Sequence, residues 1–122
     1  MNIDNLSMQI ILHAGNAKNA LHEALHQARI GDFSHKEGKL EKAVEELLLA
    51  HKIQTSFIQE DAKENLESWS ILLVHAQDHL MTVMSEKELI EEMIHLYENQ
   101  YRLEQRVEEW IDVGRKYNLD SK

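Results

Sequence analysis

The sequence predicts an all-α fold, an antiparallel up-down-up bundle of three helices. Three observations carry this. The 122 residues hold no Pro and only four Gly, too few breakers for the many turns of an all-β chain. Apolar residues recur at three- and four-residue steps, the period of a helix face. Two interruptions divide the chain into three segments, and short connections between helices make sequential neighbours antiparallel.

The first helix is expected from about Asp4 to Ile30, with Leu6, Ile10, Ala14, Ala17, Leu21, Ala24 and Ala28 on its apolar face. Gly31 ends it and Asp32 sits in the turn. Ser34, with Glu37 three residues on, has the pattern of a capping box for the second helix. Leu40, Val44, Leu47, Leu48, Ile53 and Phe57 carry that helix to about Gln59. The polar stretch from Asp61 to Asn65 reads as the longer connection. The third helix is expected from near Ser68 to about Tyr117. Ser85 and Glu88 resemble a second capping box inside it, but the apolar phase runs unbroken across them, which favours one continuous helix.

Composition bounds the rest. The length suits one domain, 1–122. Leu, Ile, Val and Phe supply 33 residues, above the level of disordered chains. Thirteen Lys and Arg against 22 Asp and Glu leave a formal charge of −9, which repels phosphate backbones and argues against nucleic acid as a partner. Without Cys, neither disulfides nor Cys-ligated zinc is possible. No apolar run reaches the ~18 residues of a membrane span. The N-terminus lacks the basic region of a secretory signal, so a soluble, cytoplasmic protein is expected.

The third helix has two apolar stripes. With Ile71 at zero and ~100° per residue, Trp69, Leu73, Ala76, Leu80, Val83, Ile94 and Tyr101 gather on one side and face the other two helices. Ile71, Leu89, Met93 and Leu96 gather on another. A three-helix protomer needs one buried stripe per helix, so the second predicts a partner surface, another copy of the chain. Beyond Tyr101 the first stripe is replaced by Gln105, Glu108, Glu109 and Asp112, while the second continues through Leu103, Val107, Trp110 and Ile111. The spacing of Leu96, Gln100, Leu103, Val107 and Trp110 is that of a helix seam, so 102–122 reads as an extension of the third helix with an oligomer face. A frayed, loosely packed end is the alternative.

His75, Asp78 and Thr82 fall within the second stripe. A carboxylate among apolar positions at a helix interface is costly unless paired. Where copies meet, several Asp78 carboxylates would share a proton or bind a cation, and oxygen ligands favour a hard ion such as Mg²⁺. Bonding of Asp78 to a neighbouring side chain or water remains the plainer alternative. His75 and His79 lie one turn apart. The spacing HxxxH belongs to zinc proteases, but Ala76 stands where that chemistry needs a Glu base. A neutral imidazole can instead act as a nucleophile, and two ordinary polar helix residues fit the spacing equally. The other six His are read as surface or hydrogen-bonded, with His51 the candidate exception.

The string from Leu73 through His75, Gln77, Asp78 and His79 to Thr82 closely resembles the active-site signature of the lactose/cellobiose-type enzyme IIA, a phosphocarrier of the bacterial sugar phosphotransferase system. His13 to Lys18 resembles the family's first-helix segment, although the family often has another residue at position 13. Gly31-Asp32-Phe33 resembles its first turn, and Ala50-His51 with Gln54-Thr55 its second helix. The resemblance spans roughly residues 3–100. It implies a homotrimer of three-helix protomers, nine helices in all, with His75 the phosphorylated residue. Asp78 would hold a divalent cation, Mg²⁺, on the three-fold axis, one carboxylate from each protomer, and Gln77 and His79 would support. Phosphoryl would arrive from HPr and leave to a Cys of the IIB component, which phosphorylates the sugar during uptake through the membrane component IIC. The chain would then be cytoplasmic, at most peripheral to the transporter. Two other classes fit a helical oligomer: a degenerate relative that regulates by binding alone, and a scaffold.

Overall fold

A computed structural model describes residues 2–64 and 70–120. Among these the chain forms three helices, α1 (Ile3–Arg29), α2 (Lys36–Glu64) and α3 (Ile71–Asp120), and no strand.

The helix boundaries at Asn2, Gly31 and Ser70 have local causes. The side chain of Asn2 accepts from the Asn5 amide at 3.0 Å and caps α1. Gly31 takes φ +84°, the left-handed conformation that glycine adopts without strain. The Gly31 amide then donates to Ala28 O (3.0 Å) and the Asp32 amide to Gln27 O (2.9 Å), satisfying the last carbonyls of α1. The capping box expected at Ser34 does not form. Asp32 Oδ1 accepts from both the amide and the hydroxyl of Ser34, at 3.0 and 2.6 Å, so the hydroxyl is held in the turn and α2 starts two residues later. The Asp32 carboxyl is held below its usual pKa by these bonds, the hydroxyl first. α2 also overruns its expected end at Gln59. Residues 61–64 are polar, but Ala, Lys and Glu are good helix formers and no breaker intervenes. Asn65, Ser68 and Trp69 lie outside the described residues. The Ser70 hydroxyl accepts from the Leu73 amide at 3.0 Å and caps α3, which passes Ser85 without interruption.

Cross-helix contacts define the topology. His13 meets Glu46 and Lys39 meets Glu23, so α1 and α2 are antiparallel. Lys18 and His22 face Glu86 while Phe33 meets Tyr101, so α3 runs parallel to α1. Lys36–Glu98 and Gln54–Gln77 make α2 and α3 antiparallel. This is the expected up-down-up order. α1 packs along both partners, whereas α2 and α3 touch each other little. The cause is the alanine face of α1: Ala14, Ala17, Ala20, Ala24 and Ala28 are buried, and small side chains let two helix axes approach closely.

The core follows the expected stripes with instructive shifts. Ile10, Leu21, Leu80 and Val83 are fully buried. In α1, Ser7 is buried and Leu6 only half-buried, the Ser7 hydroxyl donating to Ile3 O at 2.7 Å. In α2, Ala43, Leu47, Ala50 and Phe57 are buried, whereas Val44 and Leu48, expected on that face, are exposed. They line the open side between α2 and α3. The face of α2 turned to the core runs through Ala43, Leu47 and Ala50, one step around the helix from Val44 and Leu48. Ile90 joins the buried stripe of α3, and Tyr101 at its end packs edge-on against Phe33, ring centroids 5.7 Å apart.

Candidate functional site

α3 builds the site because its two faces are assigned differently. Leu73, Ala76, Leu80 and Val83 are drawn into the core. Their burial fixes the rotation of the helix and turns His75, Asp78 and Thr82 outward, all exposed. The same outward face carries Ile71, Leu89, Met93 and Leu96, 46–90% exposed. Among the described residues the second stripe therefore lies open, with no intramolecular partner. An exposed run of large apolar side chains such as Leu89, Met93 and Leu96 marks an interaction surface.

Two half-buried side chains flank the outward pair. The ring of His79 stacks on that of His75, centroids 6.2 Å apart and planes 8° from parallel. Gln77 accepts a hydrogen bond from the Gln54 side chain, which ties this turn of α3 to α2. Gln54 was not marked as a site residue by periodicity: a polar residue on a helix flank shows its partner only when the other helix is in place.

The expected cation site cannot be built from one chain. Among the described residues no three His, Cys, Asp or Glu side chains converge, and Asp78 presents a single exposed carboxylate. A hard divalent ion takes several oxygen ligands, so this donor fits such an ion only where further copies of the chain bring their own carboxylates.

The remaining histidines behave differently. His13 Nδ1 lies 2.7 Å from Glu46 Oε2, and the Asn16 amide donates to the same oxygen at 3.4 Å. The bond to His13, then that to Asn16, hold the Glu46 carboxyl below the usual range against the opposing effect of partial burial. This polar cluster pins α1 to α2. His51 is exposed and lines a cavity of about 270 Å³ with Val44, Leu48, Met84 and Lys87 where α2 and α3 diverge. Met84 and Lys87 lie two to three turns along α3 from His75, so the cavity is set apart from the outward pair. No helix among the described residues is long and apolar enough to cross a membrane.

Known proteins share both the sequence and this architecture. Residues 5–98 match the family described as the lactose/cellobiose-specific IIA subunit of the PTS system. The lichenan-specific phosphotransferase enzyme IIA component of Bacillus subtilis is 43% identical over 96 residues, 79% of this chain and 87% of that protein. The crystal structure of the PTS cellobiose-specific enzyme IIA from Bacillus anthracis superposes with a TM-score of 0.79 at 37% identity, over 84% of this chain and 94% of its own. The IIA(chitobiose) chain, solved in complex with HPr from the N,N'-diacetylchitobiose branch of the Escherichia coli phosphotransferase system, superposes with a TM-score of 0.72 at 38% identity, over 83% and 98%.

Proposed function

This chain belongs to the lactose/cellobiose-specific IIA family of the phosphotransferase system, and from that premise we propose that it is a phosphohistidine carrier whose nucleophile is His75. The observation that carries the proposal is the outward placement of His75 within the family signature. A side chain that must exchange a group with two different proteins has to be exposed, yet rigidly based. His75 stands on a helix turn anchored by buried Leu73 and Ala76 on either side of it.

The chemistry follows from the imidazole. A lone pair on a neutral ring nitrogen of His75 attacks the phosphorus of phospho-HPr. The P–N bond to the donor breaks as the new one forms, and the donor keeps the electron pair. In the second transfer a Cys thiolate of the IIB component attacks the same phosphorus and the His75 imidazole leaves. Catalysis in such transfers is in-line positioning with electrostatic stabilisation. The stacked His79 ring and the Gln54–Gln77 bond serve positioning here, by limiting how the His75 ring and its turn can move. The chain binds no sugar itself. A lactose-, cellobiose- or chitobiose-type sugar is phosphorylated by IIB during uptake through IIC, which keeps this component in the cytoplasm beside the transporter.

The open stripe of α3 is covered by two further copies, giving a homotrimer of nine helices. Asp78 from each copy would hold a Mg²⁺ ion, which when bound neutralises carboxylates that would otherwise repel one another.

Incubation with the general phosphotransferase enzyme, HPr and phosphoenolpyruvate tests the reading. Acid-labile phosphate on His75 is expected. A chain that binds phospho-HPr without becoming labelled would be a regulatory relative, and one that does neither a scaffold.

A further inference from the structure

From Tyr101 to Asn118 every residue of α3 is exposed. Leu103, Val107, Trp110 and Ile111 are 48–81% accessible, yet the helix continues unbroken to Asp120. At 1.5 Å per residue this is a rod of about 27 Å that leaves the bundle at Tyr101, the residue packed on Phe33. The family match ends at residue 98, so the rod lies beyond it. An isolated helix of this length is marginal in water unless its apolar face is covered.

Two observations, with the assembly proposed above, say what covers it. The first is phase. From Leu96 the seam advances by 4, 3, 4 and 3 residues through Gln100, Leu103, Val107 and Trp110. Backwards it passes through Met93 and then positions 89, 85, 82, 78, 75 and 71, the same alternation with one extra step of four. That extra step cancels the drift between a 3.5-residue repeat and a 3.6-residue helix. The rod therefore presents the same side of α3 as His75 and Asp78 do. The second is charge. The whole chain carries −9, but the rod, residues 101–118, holds four Lys and Arg and four Asp and Glu. Copies brought together along the rod accumulate no net charge, unlike copies brought together along the bundle. In the trimer proposed above, protomers related by a three-fold axis running along α3 set these rods side by side and pointing the same way.

We propose that residues 96–117 of α3 pair in register with the same segment of other copies of this chain, as a parallel coil that clamps the assembly independently of any cation at Asp78. The proposal rests on the reading that copies meet along the His75 face. It gives the oligomer a second fastening, so the assembly persists when a chelator removes the ion.

The absence of Cys makes a direct test available. Leu103→Cys and Val107→Cys are made separately in the full chain, with Glu109→Cys on the opposite side of α3 as control. All three positions are exposed in the single chain, so the bundle is undisturbed. Under mild oxidation with EDTA present, both seam variants should run mostly as covalent dimers, and the control should not. Antiparallel pairing would cross-link at most one seam position, and burial of the rod against a different protein would cross-link neither. Either result overturns the proposal. Light scattering in EDTA should show the parent chain still oligomeric and a Val107→Glu/Trp110→Glu variant reduced in mass; a parent chain that is monomeric in EDTA also overturns it. Labelling of His75 is scored in parallel. Labelling without cross-links removes the coil and leaves the carrier, and cross-links without labelling do the reverse.

Discussion

Replacing His75 by Ala separates chemistry from folding. His75 is exposed, and its ring stacks on that of His79 with centroids 6.2 Å apart. An aromatic pair of this kind contributes at most about 0.5–1.5 kcal/mol, and Ala regains up to about 0.7 kcal/mol of helix propensity. The two effects oppose, so His75→Ala should change stability by less than about 1 kcal/mol, within ~5 °C in the thermal midpoint for a chain of this size. Phosphoryl acceptance, by contrast, should vanish, because the attacking nitrogen is gone. His79→Ala removes only the stacking partner. Loss of the same 0.5–1.5 kcal/mol from the positioned ring slows labelling by about two- to twelve-fold. The assay is the initial rate of ³²P transfer from phosphoenolpyruvate through HPr, with circular dichroism melts run on the same preparations. Normal labelling of the His75 variant together with loss of labelling in the His79 variant would show that the other imidazole is the nucleophile. A His75 variant that melts far below the parent would refute the claim that the side chain stands outside the folding core.

Asp78→Leu should abolish cation binding at the oligomer axis, read by calorimetric titration with Mg²⁺, while the mass by light scattering stays that of the parent; exchange of clustered charge for packed hydrophobe is often neutral or stabilising by ~1–4 kcal/mol. Leu80→Ala, at a fully buried position two residues past Asp78, should cost about 2–5 kcal/mol in urea unfolding. Glu46→Gln should lower stability most above pH ~4.3, the unfolded carboxylate value. The His13 bond depresses the folded pKa of Glu46, so the parent's advantage is present above that pH and is lost as the pH falls through the folded value. Melting both proteins between pH 7 and pH 3 checks the sign, and an advantage that grows on acidification would contradict it. Deleting residues 102–122 should lower the thermal midpoint and leave ³²P transfer to His75 intact.

The helical fold, its topology and the two faces of α3 were legible from periodicity because burial selects whole helix faces. The core face of α3 is dense enough in large apolar residues that Leu73, Ala76, Leu80 and Val83 define its rotation without a structure. The outward position of His75 and Asp78 follows from that rotation. The signature from Leu73 to Thr82 identified the family, since a short string of side chains with specific chemistry is itself sequence information. Other features depend on what each side chain meets. Ser34 has the sequence of a helix cap, but the Asp32 carboxylate two residues away is the stronger partner. Val44 and Leu48 have the spacing of core residues, yet the core face of α2 runs through Ala43, Leu47 and Ala50, and Val44 and Leu48 are left at the open side. The Gln54–Gln77 and His13–Glu46 bonds join residues 23 and 33 positions apart. No local pattern encodes such pairs, because a polar side chain on a helix flank acquires a partner only when another helix is laid against it. The sequence by itself determined which faces are apolar and to which family the chain belongs. The tertiary structure alone decided how closely the helices approach and which polar groups meet, because both are set by side chains contributed by two helices at once.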